Sequence, residues 1–354
     1  MRMKNRKASL EGCLLGTAIG DAIGLPFEGL SRQRISRLVA GPLKHRFFFG
    51  KGMISDDTEH TCMVAQSLIA SKGEPTRFRK QLARRLRWWL LGLPAGIGLA
   101  TSRSILKLWL GVSPEKSGVW SAGNGPAMRS AIIGVYAGDD GEKLKALVTQ
   151  STLLTHRDPK ALRGALLVAQ FAAYNASVEE FDREKLIEKL SSLYQDDATM
   201  QDLMQNVIRS VNNNESAQTF CQSMGWQKGV SGYIYQTVPV ALHIALRHPH
   251  DYQSAITEVV MCGGDTDTVA AIVGGMVGAG CGRIGIPDTW INNMMEWPRS
   301  INWMTRLANN LVISHDDPES SKPLNLNIPA VLLRNMFFMC WVLLHGFRRL
   351  LPPY

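Results

Sequence analysis

Residues 12–24 read Gly12-Cys13-Leu14-Leu15-Gly16-Thr17-Ala18-Ile19-Gly20-Asp21-Ala22-Ile23-Gly24, with glycine at every fourth position. On a helix this spacing strips one face of side chains. The same pattern returns at Gly274, Gly278 and Gly282. In an apolar membrane span it would signal helix dimerisation, but Glu11 and Asp21 argue instead for core helices. Each glycine costs about 1 kcal/mol in helix propensity, so close backbone approach must matter here. The expectation is two central helices packed against each other.

Strand signals are scarce and helical spacing recurs, which predicts an all-α, compact, orthogonal multi-helix domain. Phe78, Leu82, Leu86 and Trp89 form one apolar stripe, with Arg77, Lys80, Arg84 and Arg87 off it. The basic residues read as the solvated face of an amphipathic helix rather than a nucleic-acid patch. The polar, proline-bounded stretch 315–323 reads as a linker, dividing a catalytic domain at 8–314 from a hydrophobic C-terminal tail at 324–354.

The chain has 354 residues, 45% of them hydrophobic, so it can bury one large core or two moderate ones. A net charge of +9 favours anionic partners without choosing among nucleotides, nucleic acid and acidic membrane, and no specific nucleic acid is predicted. Six cysteines lack CxxC spacing and read as buried thiols of a reducing compartment, which argues against zinc. The basic start lacks the uninterrupted apolar run of a signal peptide. The expected location is cytoplasmic.

Just before two helical runs lie short acidic clusters: Ser55-Asp56-Asp57-Thr58 and Gly263-Gly264-Asp265-Thr266-Asp267-Thr268. Each invites the reading of a helix cap with acids complementing the helix dipole. Two such clusters, one with alternate-residue acids after a double glycine, point further, to a hard oxygen-ligand pocket for Mg²⁺ or Mn²⁺. An EF-hand is excluded, because no glycine at position six or glutamate at position twelve follows. Between the clusters, Gly123-Asn124-Gly125-Pro126 reads as a glycine-rich turn with Pro126 opening a helix, where free amides suit a phosphate or diphosphate. His156, beside Asp158 in the loop Thr155–Pro159, is a further candidate.

The order of these motifs resembles the ADP-ribosylglycohydrolase family, which includes dinitrogenase-reductase-activating glycohydrolases and ADP-ribosyl-arginine and ADP-ribosyl-serine hydrolases. The resemblance covers roughly residues 9–300: GCLLGTAIGDAIGLPFEG, SDDTEHT, GNGPAMR, THRDP, GYIYQT and GGDTDTVAAIVGGMVGA follow in the family's order. It implies an all-α hydrolase with two Mg²⁺ (or Mn²⁺) ions that cleaves the bond between ADP-ribose and its acceptor. Carried over residue by residue, the metal ligands would be Ser55, Asp56, Asp57, Asp265, Asp267 and Thr268, with Asp267 bridging. Glu28 would sit near the metals, Ser121 to Gly125 would hold the diphosphate side, and His156 and Tyr233 would lie along the nucleotide. The catalytic candidates are Asp265, to orient or deprotonate water, then Glu28, with Asp57 beside them. Cations about 3.5–4 Å apart would bind the ribose hydroxyls and polarise that water.

Ser121 departs from arginine-directed relatives, which often carry an acid three residues before the asparagine. It looks more like the branch acting on O-linked ADP-ribose. The partners implied are an ADP-ribosylated protein or ADP-ribosyl conjugate, with a cognate transferase or toxin as the source of the modification. The competing readings are a non-catalytic ADP-ribose-binding or structural protein on the same fold, and a metal-dependent nucleotide phosphohydrolase.

The tail reads IPAVLLRNMFFMCWVLLHGFRRLL over 328–351, then PPY. Only Met336 to Leu344 is uninterrupted by a polar residue, short of the roughly twenty residues a span needs. Arg334 near the centre would add about 2.5–3.5 kcal/mol. The tail is expected to dock on the main domain or another subunit, with a membrane-surface helix as the alternative, which would make the protein membrane-peripheral.

Overall fold

The computed structural model describes residues 5–317 and 319–350. Among them are 17 α-helices and no sheet, so the all-α expectation holds; β-type pairings occur only as isolated bridges between loops. Pro318, Leu351 and the closing Pro352-Pro353-Tyr354 lie outside the described residues.

The two glycine-faced segments form helices Arg6–Gly24 and Thr266–Cys281, and they pack directly on each other. A Cβ added at Gly12, Gly16 or Gly20 would overlap the carbonyl of Gly278, Gly274 or Ala270 respectively. As one number rises by four the other falls by four, so the helices are antiparallel. Their carbonyls fill the volume that side chains would take, which explains glycine at a propensity cost. Gly282 does not continue its helix. It caps it with φ +66°, a left-handed conformation suited to glycine.

The antiparallel register sets the site. It places the C-terminal end of the first helix, with Asp21 and Gly24, beside the N-terminal end of the second, where Asp265–Thr268 lie. Thr266 Oγ1 donates to the Gly24 carbonyl at 2.9 Å and fixes that end of the pair.

A third, largely buried helix, Asp56–Ser71, carries the first acidic cluster at its start. Outside it lies the amphipathic helix Pro75–Leu91, which buries Phe78, Leu82, Leu86 and Trp89 as its period requires. Arg77, Lys80 and Arg84 are exposed and Arg87 is half-buried.

Between helix Ile301–Asp316 and the tail helix, Ile328–Leu350, the described residues form no regular helix. The last residues of the former helix, His315 and Asp316, thus precede the irregular stretch. The tail docks on loops near the site: Phe338 stacks on Phe47, Trp341 meets Phe48 edge-on, and Trp341 Nε1 and the His345 ring bond the Phe47 carbonyl. All six cysteines are free; four are buried, but Cys340 is exposed on the tail, contrary to the expectation of six buried thiols.

Candidate active site

The two acidic clusters meet at one cavity of about 360 Å³. Glu28, Ser55, Asp56, Asp265, Asp267 and Thr268 line it, together with Ser121, Gly123, Asn124, Gly125 and His156. Asp57 lies just beneath, almost fully buried, with its Oδ2 accepting from Ser55 Oγ at 3.0 Å and Thr268 Oγ1 at 3.3 Å. One carboxylate thereby ties the first cluster to the second.

Ser55 caps helix Asp56–Ser71, its Oγ accepting from Asp57 N at 3.3 Å. A residue unnoticed as functional in the sequence holds this cap. Fully buried Asp21 accepts from Ser55 N at 2.9 and 3.0 Å, Thr58 N at 3.2 Å and Thr58 Oγ1 at 2.5 Å. Its only sequence signal was a carboxylate on an otherwise apolar helix.

The double glycine before the second cluster has a steric cause. Gly263 and Gly264 have φ of +72° and +85°, and a Cβ on Gly264 would overlap the backbone of Val230. Gly264 bridges both Leu30 and Val230, closing the loops around the cavity floor. Asp265 follows at the helix cap, and Asn124 Nδ2 donates to its Oδ2 at 2.7 Å and to Thr237 Oγ1 at 3.1 Å.

The glycine turn departs in detail from the sequence reading. Pro126 precedes a short 3-10 turn, Ala127–Arg129, not the first turn of an α-helix. The amides of Gly123, Asn124, Ala127 and Met128 already donate within the protein, so they are not free for a phosphate. The glycines serve His156: a Cβ at Gly123 or Gly125 would press on its ring at 3.1–3.2 Å.

Thr155 Oγ1 accepts from Arg129 Nη2 at 2.7 Å and shares a hydrogen bond with His156 Nδ1 at 2.9 Å, which leaves Nε2 facing the turn. Burial and the Arg129 charge lower the His156 pKa to about 3, so the ring is neutral at physiological pH. Asp158 is not its partner; that carboxylate caps helix Pro159–Ser177.

Arg129 is fully buried and binds Ser151, Thr155, His60 and the Gly125 carbonyl. It joins the glycine turn to the His156 loop, a role its place in GNGPAMR did not reveal. Tyr233 stands outside the cavity lining. Its hydroxyl accepts from Lys160 Nζ at 3.2 Å, while its backbone bridges Gly123.

The tail also reaches the site, which the sequence did not foretell. Phe338 and Val342 form part of the cavity wall. Arg334, buried, donates to Glu296 Oε1 at 3.0 Å and Oε2 at 2.8 Å, and to the Ile54 carbonyl. Glu296 Oε2 accepts from Ile54 N at 3.2 Å. The pair therefore clamps both peptide groups of the residue that precedes Ser55.

Crowding shapes the electrostatics. Burial raises the pKa of Asp21 to about 7 despite its hydrogen bonds. Asp56, Asp57 and Asp267 lie well above the usual carboxylate range, first from burial and then from neighbouring carboxylates: Asp21 and Glu59 for Asp56, Asp56 for Asp57, and Glu28 for Asp267. Among the described residues, Asp57 Oδ1 and Asp267 Oδ1 are buried without a hydrogen-bond partner. Orphaned carboxylate oxygens beside hydroxyls fit a hard cation. No three His, Cys, Asp or Glu side chains among the described residues converge as metal ligands.

Residues 2–320 match the ADP-ribosylglycohydrolase family. The chain belongs to that family. A Gallus gallus relative, ADP-ribosylhydrolase ARH3, is 26% identical, with 82% of this chain and 89% of the relative covered. ADP-ribosylarginine hydrolase Tri1 of Serratia proteamaculans is also 26% identical, covering 84% of this chain and 78% of that protein. A solved ADP-ribosylglycohydrolase-related protein complex has the same fold, with a TM-score of 0.66 at 25% identity over 88% of this chain and 99% of that one. Family and relatives together support ADP-ribosyl hydrolase activity for this ADP-ribosylglycohydrolase, acting on ADP-ribosylated substrates in general.

Proposed function

We propose that the protein releases ADP-ribose from a modified acceptor by water attack at the anomeric carbon, in a pocket that holds two Mg²⁺ or Mn²⁺ ions. The observation that carries this reading is the pair of orphaned, buried oxygens, Asp57 Oδ1 and Asp267 Oδ1, at the junction of two acidic clusters. Holding these carboxylates together costs repulsion that a non-catalytic scaffold has no need to bear.

Ser55, Asp56, Asp57, Asp265, Asp267 and Thr268 would hold the ions. When bound, the cations supply Lewis-acid polarisation of water and of the ribose hydroxyls. Asp265, fixed by Asn124, orients the water and takes its proton as oxygen bonds to the anomeric carbon. The bond to the acceptor breaks with its electron pair, and the proton held by Asp265 passes to the leaving acceptor. Glu28, which also lines the cavity, would sit near the ribose. His156 offers a neutral ring whose Nε2 can hydrogen-bond the nucleotide. Ser121, beside the turn, presents a hydroxyl and no charge, which favours an O-linked acceptor over the arginine guanidinium.

A metal-replete assay on arginine-linked, serine-linked and O-acetyl ADP-ribose, with a chelated control, tests activity and acceptor together. Release of free ADP-ribose supports the reading. Orthophosphate would favour a nucleotide phosphohydrolase, and binding without turnover a non-catalytic ADP-ribose-binding protein. The location we infer is cytoplasmic.

A further inference from the structure

The tail helix Ile328–Leu350 lies beyond residue 320, where the family match ends. Its inner face is committed to the protein through Arg334, Phe338 and Trp341. Its outer face is apolar and open: Leu333, Met336, Leu343, Leu344 and Phe347 are exposed, Met336 and Phe347 by 60% and 65%.

A second exposed apolar strip adjoins it. Asn335 Nδ2 donates to the Gly92 carbonyl at 2.6 Å, which brings Leu91 and Leu93 beside the tail. One turn back, Trp88 is 62% exposed and meets Trp109 edge-on. Arg84, Trp88 and Leu91 fall at helical spacing on one outward stripe, grading from basic to aromatic to aliphatic.

Charge decides what covers this surface. Residues 75–114 and 320–354 contain no aspartate or glutamate. Arg84 and Arg103 are exposed, with no carboxylate partner among the described residues. A two-fold dimer through this face would bring Arg84 of one copy toward a partner face whose own two segments carry no acid to pair with it. A transmembrane placement would pull Arg334 from Glu296 into hydrocarbon. An anionic bilayer surface satisfies both features, accepting apolar and tryptophan side chains at the headgroup boundary and attracting Lys and Arg.

We propose that the outer face of the tail helix and the Trp88–Leu93 strip seat this protein on an anionic membrane surface. Ala95, Leu99, Phe338 and Val342, from the same two segments, line the cavity. The contact therefore lies next to the pocket, and modified acceptors held at a membrane would be presented to it.

The test is co-sedimentation of the full chain with vesicles of 70% phosphatidylcholine and 30% phosphatidylserine, beside pure phosphatidylcholine vesicles, with light scattering for oligomeric state. The chain should pellet with the anionic vesicles, bind the neutral ones at least about tenfold less, and be released by high salt. The double variant Met336→Glu/Phe347→Glu should lose more than about tenfold of its partitioning while keeping its melting temperature and its hydrolysis of a soluble substrate. Failure to pellet with anionic vesicles would overturn the proposal. So would a dimer that the double variant converts to monomer, which would assign the face to a second copy.

Discussion

Asn124 Nδ2 lies 2.7 Å from Asp265 Oδ2, so the glycine turn and the second acidic cluster are joined by a direct hydrogen bond in the cavity lining. That bond leaves the second carboxylate oxygen of Asp265 oriented for other work. Asn124→Ala should lower kcat for ADP-ribose release by about 10–100-fold, the range typical when an outer partner of a ligating group is lost. Steady-state kinetics check this. A change confined to KM would make Asn124 a binding residue only.

Much of this arrangement was legible in the sequence, and the rest was not, for physical reasons. The four-residue glycine spacing predicted the close helix pair because only one geometry makes missing side chains useful. The acidic clusters were visible because their residue types are chemically unusual before apolar runs. Asp21, Arg129 and Arg334 each reach partners distant in sequence, 34, 22 and 280 positions away for Ser55, Ser151 and Ile54, and no local pattern encodes which partner each will meet. The amides of the glycine turn read as free because a sequence does not show that Gly232 and Ser121 accept from them.

Protons should compete with cations for the cluster. Asp21 titrates near 7 in the folded protein, and Asp56, Asp57 and Asp267 also titrate well above their ordinary value. A raised folded pKa contributes stability that is full below the unfolded value and lost as pH rises through the folded one. The buried histidines His60, His156 and His243 are depressed and act in the opposite direction, only below about 6.5. The window from pH 6.5 to 8 therefore isolates the carboxylates. Chelated protein should lose melting temperature across it, and saturating Mg²⁺ should remove or reverse the slope. Equal slopes with and without Mg²⁺ would count against a cation among these acids.

The helix pair is testable by one methyl-bearing substitution. Gly16→Val drives a side chain into the Gly274 carbonyl, and overpacking at backbone should cost about 3 kcal/mol or more. Urea denaturation measures it. Gly29, with nothing near its Cβ direction but φ +72°, should cost less as Gly29→Ala, about 1 kcal/mol.

The tail clamp should behave as a buried ion pair. Arg334→Met leaves the Glu296 carboxyl buried without its cation and should destabilise by about 3–5 kcal/mol, whereas Arg334→Met with Glu296→Leu should recover much of the loss. The double variant still lacks the bonds to both peptide groups of Ile54, so its hydrolytic rate should stay low when its stability returns. Full activity in the double variant would remove the clamp from the account of the site.

The most direct measurement is release of free ADP-ribose from arginine-linked, serine-linked and O-acetyl ADP-ribose by wild-type and Asp267→Asn protein, each with saturating Mg²⁺ and with chelator. The account predicts turnover by wild type with Mg²⁺ on at least one substrate, none with chelator, and none by Asp267→Asn despite a cooperative melting transition. Near-normal hydrolysis by Asp267→Asn, or turnover that survives chelation, would contradict it.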